Sequence, residues 1–133
     1  MNMKIAMPVV PISWGELIDK ITILEIKLFK IDSFNAKENI TKELNYLLKI
    51  ADINSLAEEV KLLKDDLSNV NLKLWDVEDQ IREKELADDF DKIFIELARQ
   101  VYRLNDIRAK TKKSINLILE SELIEEKSYK DFK

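Results

Sequence analysis

Between Leu56 and Ile81 the apolar residues Leu56, Val60, Leu63, Leu67, Val70, Leu74, Val77 and Ile81 keep an unbroken alternation of four and three. One face of an α-helix reads this way, whereas a half-buried strand would place its apolar residues at every second position. The seam is coiled-coil-like and predicts a single helix from about 55 to 87, about 50 Å long at the usual rise. Elsewhere the chain is equally permissive. Its only glycine is Gly15, and its two prolines, Pro8 and Pro11, both precede residue 12. Beyond that point no helix breaker stands in the way of long helices.

The remaining elements follow from caps and periodicity. Residues 4 to 12 read as an extended arm held open by its prolines. Ser13 and Glu16 have capping-box spacing and open a first helix that should run to about Ile31. Its main stripe is Leu17, Ile21, Leu24, Leu28 and Ile31, widened by Ile18, Ile26 and Phe29. So broad an arc predicts packing against more than one neighbour. Gly15, inside the first turn, would let another backbone or ring approach closely. A shorter helix is expected near 37 to 51, with Ile40, Leu44, Leu47 and Ala51 inward. Ser55 and Glu58 repeat the capping-box spacing at the start of the long helix. Asp88 and Asp89 supply a turn and the next N-cap, and a last helix runs from about 90 to 120. The tail, 121 to 133, is expected to fray or to dock through Tyr129 and Phe132.

The predicted fold is all-α, a single domain over 1–133: an antiparallel bundle with a long hairpin, 55–87 and 90–120, and two shorter helices. The short Asp-Asp connection makes the last two helices antiparallel neighbours. Helices of this length outrun what a 133-residue globule covers, so a homodimer is expected.

The last helix carries the sharpest clue to function. Phe90, Phe94, Leu97, Val101 and Leu104 form its apolar stripe, but the same count then meets Arg108 and Thr111 before returning to Ile115 and Ile118. A charge on a face that should be buried needs a partner or a ligand, because an unpaired buried ion is very costly. Asn105 and Lys112 share that side. Counting outward from the turn brings Asn71 opposite Asn105 and Arg108. Glu78 lies beside Leu74 and Trp75, and Glu25 falls between Ile18 and Ile21 on its helical wheel. Glu25, Asn71, Glu78, Asn105, Arg108 and Lys112 therefore make a candidate interior cluster. It reads either as an ion-pair network that fixes helix register, or as a pocket in which Arg108 and Lys112 grip a small anion.

Composition narrows the chemistry. Cysteine and histidine are both absent, which removes disulfides, thiolate zinc sites, cysteine nucleophiles and histidine-dependent triads. No cofactor or metal site is expected. Carboxylate pairs at metal-binding spacing (Glu16 with Asp19, Asp76 with Asp79, Glu85 with Asp88) arise easily among 26 acidic residues and read as solvated faces. The formal charge of −4 gives no general reason to bind nucleic acid or anionic lipid. No apolar run is long enough to span a bilayer, and the start is a poor secretion signal, so a cytoplasmic location is the expectation. Lysine outnumbers arginine 18 to 4, and Arg82, Arg99, Arg103 and Arg108 share one window, where guanidinium geometry matters most. Arg99 and Arg103, one turn apart near Ile95 and Tyr102, have interface-like surroundings. Trp14 and Trp75 read as packing residues.

Three segments carry a resemblance: ISWGELIDKITILEIK at 12–27, LWDVEDQIREKE at 74–85, and VYRLNDIRAKTKKSINLILESELIEEKSY at 101–129. The chain resembles an uncharacterised bacterial family of small standalone proteins, a domain of unknown function, over nearly its whole length. That resemblance implies no activity and no catalytic residues. A looser analogy is to helical chorismate mutases, which also place arginine and lysine inside a helical dimer, although their arginine-rich first helix is missing here. The leading expectation is a dimeric binding or interaction module. The alternative is a small-molecule enzyme or anion-binding protein, with Arg108 and Lys112 on the anion and Glu25 or Glu78 in acid–base roles. A cleft reaching solvent at Arg108 favours the second; a closed, fully paired cluster favours the first.

Overall fold

The computed structural model describes residues 5–128 and 130. Four α-helices carry the fold: α1 (Trp14–Lys30), α2 (Phe34–Ile50), α3 (Glu58–Leu86) and α4 (Lys92–Ile118), with a short 3-10 turn at Ile53–Ser55. The described residues hold no strand. The chain is thus all-α, with α3 and α4 paired as a long hairpin. Residues 5–12 form no helix or strand and are exposed. Tyr129 and Phe132 lie outside the described residues.

The helix starts show local chemistry at work. Ser13 Oγ accepts from the Glu16 amide at 3.1 Å and opens α1. Ser33 does the same for α2, accepting from Ala36 N at 3.3 Å. Two expected caps move. Ser55 is taken up in the 3-10 turn, where its hydroxyl donates to Asp52 O at 2.9 Å, so α3 begins after Ala57 with no side-chain cap. Glu58 and Glu59 in its first turn interact favourably with the positive end of the helix dipole instead. For α4 the cap is Asp91, which accepts from Phe94 N at 3.0 Å. Asp88 instead makes the reversal at φ 52°, a left-handed position that aspartate tolerates. Lys84 Nζ then ties the turn together, 2.9 Å from Asp89 and 3.0 Å from Asp91.

Helix α1 is the centre of the fold, and its broad apolar arc serves two neighbours. Leu17, Ile21 and Leu24 pack with Ile40 and Leu44 of α2 and with Ala51. Ile18 packs with Val60 and Leu67 of α3 and Ile115 of α4. Burying side chains of this size stabilises by about 1.5–3 kcal/mol each. Gly15 and Asp19 meet Asn116 and Arg108, so α1 runs antiparallel to α4. It is parallel to α3: Asp19 and Thr22 meet Asn71, and Lys30 meets Asp76 at 3.1 Å.

The hairpin is long and unevenly covered. At 29 residues α3 extends about 43 Å. Its last buried residue is Val77, and the first in α4 is Leu97; between them no described residue is buried. Among the described residues no helix is long and apolar enough to cross a membrane.

Candidate functional site

Where α1 crosses the hairpin, the apolar seam gives way to polar side chains. Asp19 is the pivot, with 0% of its surface exposed. Arg108 grips it with two parallel bonds, Nε to Oδ1 at 3.0 Å and Nη2 to Oδ2 at 2.6 Å. This fork-to-fork geometry is one a lysine cannot reproduce. Asn71 donates from Nδ2 to Asp19 Oδ1 and to Thr22 Oγ1, both at 2.9 Å. Thr22 closes the circuit by donating to the Asp19 carbonyl at 2.7 Å. No buried side-chain nitrogen or oxygen among the described residues is left without a partner. The hydrogen bond to Asp19 and its charge hold the Arg108 guanidinium above its usual pKa, outweighing burial.

One turn along α4, Lys112 forms a second node of different character. Its Nζ lies 2.7 Å from Glu16 Oε2 on α1, 3.1 Å from Glu125 Oε2 on the tail and 3.9 Å from Asp19 Oδ2. Burial pulls the pKa of Lys112 down, but the hydrogen bonds to Glu16 and Glu125 outweigh it and leave the pKa raised. Glu125 is held down to about 2, chiefly by its hydrogen bond with Lys127, with Lys112 adding to this and desolvation opposing it.

Gly15 explains how α1 comes so close. Its amide donates to Asn116 Oδ1 at 2.6 Å. A Cβ built on Gly15 would stand 2.5 Å from the Lys112 carbonyl oxygen and 2.9 Å from Asn116 Oδ1. Beside it, Trp14 N donates to Ser121 Oγ at 3.2 Å, which anchors the start of the tail.

Two clefts flank Arg108, whose side chain is 29% exposed. One, of about 230 Å³, is lined by Glu16, Asn105, Arg108, Ala109, Lys112, Glu125 and Lys127. The other, of about 140 Å³, lies between Ile23 and Ile26 of α1, Asn71, Leu74, Trp75 and Glu78 of α3, and Asn105 and Arg108 of α4.

The structure brings Asn71, Arg108 and Lys112 together and places Asn105 at the mouth of both clefts. Asn105 donates to Val101 O at 3.0 Å along its own helix. It does not bring in Glu25, which is exposed and pairs with Lys64 at 3.1 Å. Glu25 sits at the boundary between the faces that α1 turns to α2 and to α3, so it stays in water. Glu78 is exposed on the rim of the smaller cleft. Asp19 and Glu16, expected on a solvated face, belong to the cluster, and Asp19 is fully buried because α1 presses that face onto α4; Thr22, Asn116 and Glu125 were not foreseen as members. Asp19 carried a readable signal: Gly15, Ile18, Asp19 and Thr22 share a helix face, so its carboxylate lies beside the residue of closest approach. Arg99 and Arg103 pair with Glu96, at 4.0 and 3.3 Å. Among the described residues no group of three or more carboxylates is placed to hold a metal ion.

With this geometry in place, comparison with known proteins gives one match. The family of unknown function DUF6165 matches residues 7–132. The chain belongs to that family. Its match takes in the arm from Met7, all four helices and Glu125, so both polar nodes fall inside it. No curated protein and no solved structure matches the chain.

Proposed function

We propose that this DUF6165 protein is a helical interaction module that works as a homodimer through the outer half of its hairpin. One observation carries this reading: residues 78–96 bury no side chain, yet they hold Leu86, Phe90, Ile93 and Ile95, all exposed. Leu86 is 86% exposed. Phe90 and Phe94 meet edge to face, 5.2 Å between centroids, which covers one side of each ring and leaves the rest to solvent. Two helices shield a single seam, whereas four shield a core, and a second hairpin laid against the first supplies the missing pair. Exposed apolar side chains gathered at one end of a hairpin are the kind of surface that association covers. Light scattering at micromolar concentration should return twice the chain mass of 15.6 kDa. Leu86→Glu with Ile93→Glu should return the single mass without loss of helicity. A wild-type protein that stays at one chain mass across that range rejects the proposal.

The cleft favours a second reading. The polar waist is closed around Asp19, but Arg108, Asn105 and Lys112 also reach solvent in the 230 Å³ cleft. Small-anion binding there fits a site of three cations and three carboxylates only if one carboxylate can leave. A thermal-shift screen with small anions tests it, because ligand linkage raises the melting temperature without assuming a reaction.

A further inference from the structure

The two carboxylates on Lys112 are held in different ways. Glu16 belongs to the first turn of α1, fixed by the Ser13 cap and by the contact of Gly15 with α4. Glu125 belongs to the segment after Ser121, which has no helix or strand. Ser121 anchors the start of that segment on Trp14 N, and beyond it the neighbouring tie to the body is an exposed one, Glu126 to Lys113 at 3.3 Å. Exposed pairs of this kind contribute little. Glu125 thus occupies its position as a weakly tethered carboxylate, against a lysine whose side chain is only 10% exposed.

We propose that the 230 Å³ cleft is a binding site for a small organic carboxylate, which takes the position on Lys112 that Glu125 fills. The tail is then a tethered competitor for its own protein's ligand. This rests on the anion-binding reading above and names its ligand class and its control.

Charge and geometry support the carboxylate class. Exchanging Glu125 for a free carboxylate leaves the charge around Lys112 unchanged. A phosphate dianion would put both of its negative charges on Lys112, beside Glu16 and Asp19, whereas a dicarboxylate such as succinate carries its second charge away from them, toward Arg108. Further contacts are available to a ligand that the glutamate side chain does not use. Arg108 commits Nε and Nη2 to Asp19, and its Nη1 makes no hydrogen bond to any described residue. Asn105 commits only its Nδ2, to Val101 O, and its amide oxygen faces no described donor. A second carboxylate on the ligand can accept from Arg108 Nη1, and a hydroxyl can in addition donate to Asn105 Oδ1. A cleft of about 230 Å³ suits a small metabolite. A tethered group has an effective concentration in the millimolar range, so these extra contacts are what let a free ligand win.

The experiment is a titration of succinate and of inorganic phosphate, at constant ionic strength, into the full chain. The readout is the Asn105 and Asn71 side-chain amide resonances. Glu125→Gln removes the competitor from an exposed segment outside every helix, so folding is not at stake. Succinate should bind Glu125→Gln at least tenfold more tightly than wild type, and Glu126→Gln should match wild type. Adding Lys112→Met to Glu125→Gln should abolish binding, with circular dichroism confirming the helices. Equal succinate affinity in wild type and Glu125→Gln overturns the tethered competitor while leaving anion binding in place. No binding to either protein overturns both. Phosphate bound more tightly than succinate by Glu125→Gln overturns the carboxylate class.

Discussion

The nodes at Asp19 and at Lys112 lie one helical turn apart, share α1 and α4, and differ in how each is closed. Around Asp19 every partner comes from a helix, and the carboxylate is out of water altogether. Around Lys112 one partner comes from the tail, and the node opens into a cleft. A buried ion held from all sides must stay paired, because losing one partner strands the other in a medium that cannot solvate it. An ion at a cleft edge can exchange partners, since water and solutes reach it. The same residue types thus make a fixed joint at one position and an exchangeable one at the next.

The sharpest way to break this contrast is at Arg108. Arg108→Ala leaves Asp19 buried without its charge partner and should cost about 3–5 kcal/mol in urea unfolding. Lys112→Ala should cost clearly less, because Glu16 and Glu125 are partly exposed and regain water. Equal losses at the two positions would erase the distinction.

Gly15→Ala comes next in size. Alanine improves helix propensity by up to about 1 kcal/mol, but its methyl must displace the Lys112 carbonyl, which is backbone. Overpacking of that kind costs about 1–3 kcal/mol, so the melting temperature should fall. A rise would mean that α1 and α4 separate more easily than the 2.6 Å bond from Gly15 N to Asn116 suggests.

The smallest effect should come from acid. Glu125 has its pKa lowered from 4.5 to about 2. Its ion pairs, with Lys127 in the tail and with Lys112 on α4, are therefore complete above 4.5 and lost as pH falls through about 2. The amide chemical shifts of residues 122–127 should be unchanged from neutral pH to about 5 and should move as the pH falls below 4.5. Lys112 has the opposite sign: its raised pKa keeps its contribution complete below 10.5 and loses it as pH rises through the folded value. Shifts that begin to move at pH 6 would show that Glu125 is not the group holding the tail.

Much of the fold was legible because it depends on local patterns. The seam runs within α3 from Val60 to Ile81, while its first expected residue, Leu56, falls in the turn before the helix; the expected helices at 13–31, 37–51, 55–87 and 90–120 stand at 14–30, 34–50, 58–86 and 92–118. Caps were less secure, since Ser55 and Asp88 had to choose between a helix start and a turn, and the loop geometry chose the turn. In the site, Arg108 was legible because it interrupts an apolar stripe. Its partner was not, because Asp19 sits on the edge of an already broad α1 arc, and only the crossing of α1 over the hairpin decides which edge is buried. Glu25, closer to the middle of that arc on the wheel, ended in the gap between two packed faces and found Lys64. Glu125 gave no periodic signal at all, since it belongs to no helix.

The most direct test of the fixed joint is a double-mutant cycle by urea unfolding on Asp19→Leu, Arg108→Met and the two combined. Arg108→Met should lose several kcal/mol, because it strands Asp19 at full burial. Asp19→Leu should lose less, because Arg108 is 29% exposed and lies near Glu16 and Glu125. The double variant should recover much of the larger loss, giving a coupling of about 2–4 kcal/mol. Losses that simply add, with coupling below about 0.5 kcal/mol, would contradict the pairing of Asp19 with Arg108 as the joint that sets α1 on the hairpin.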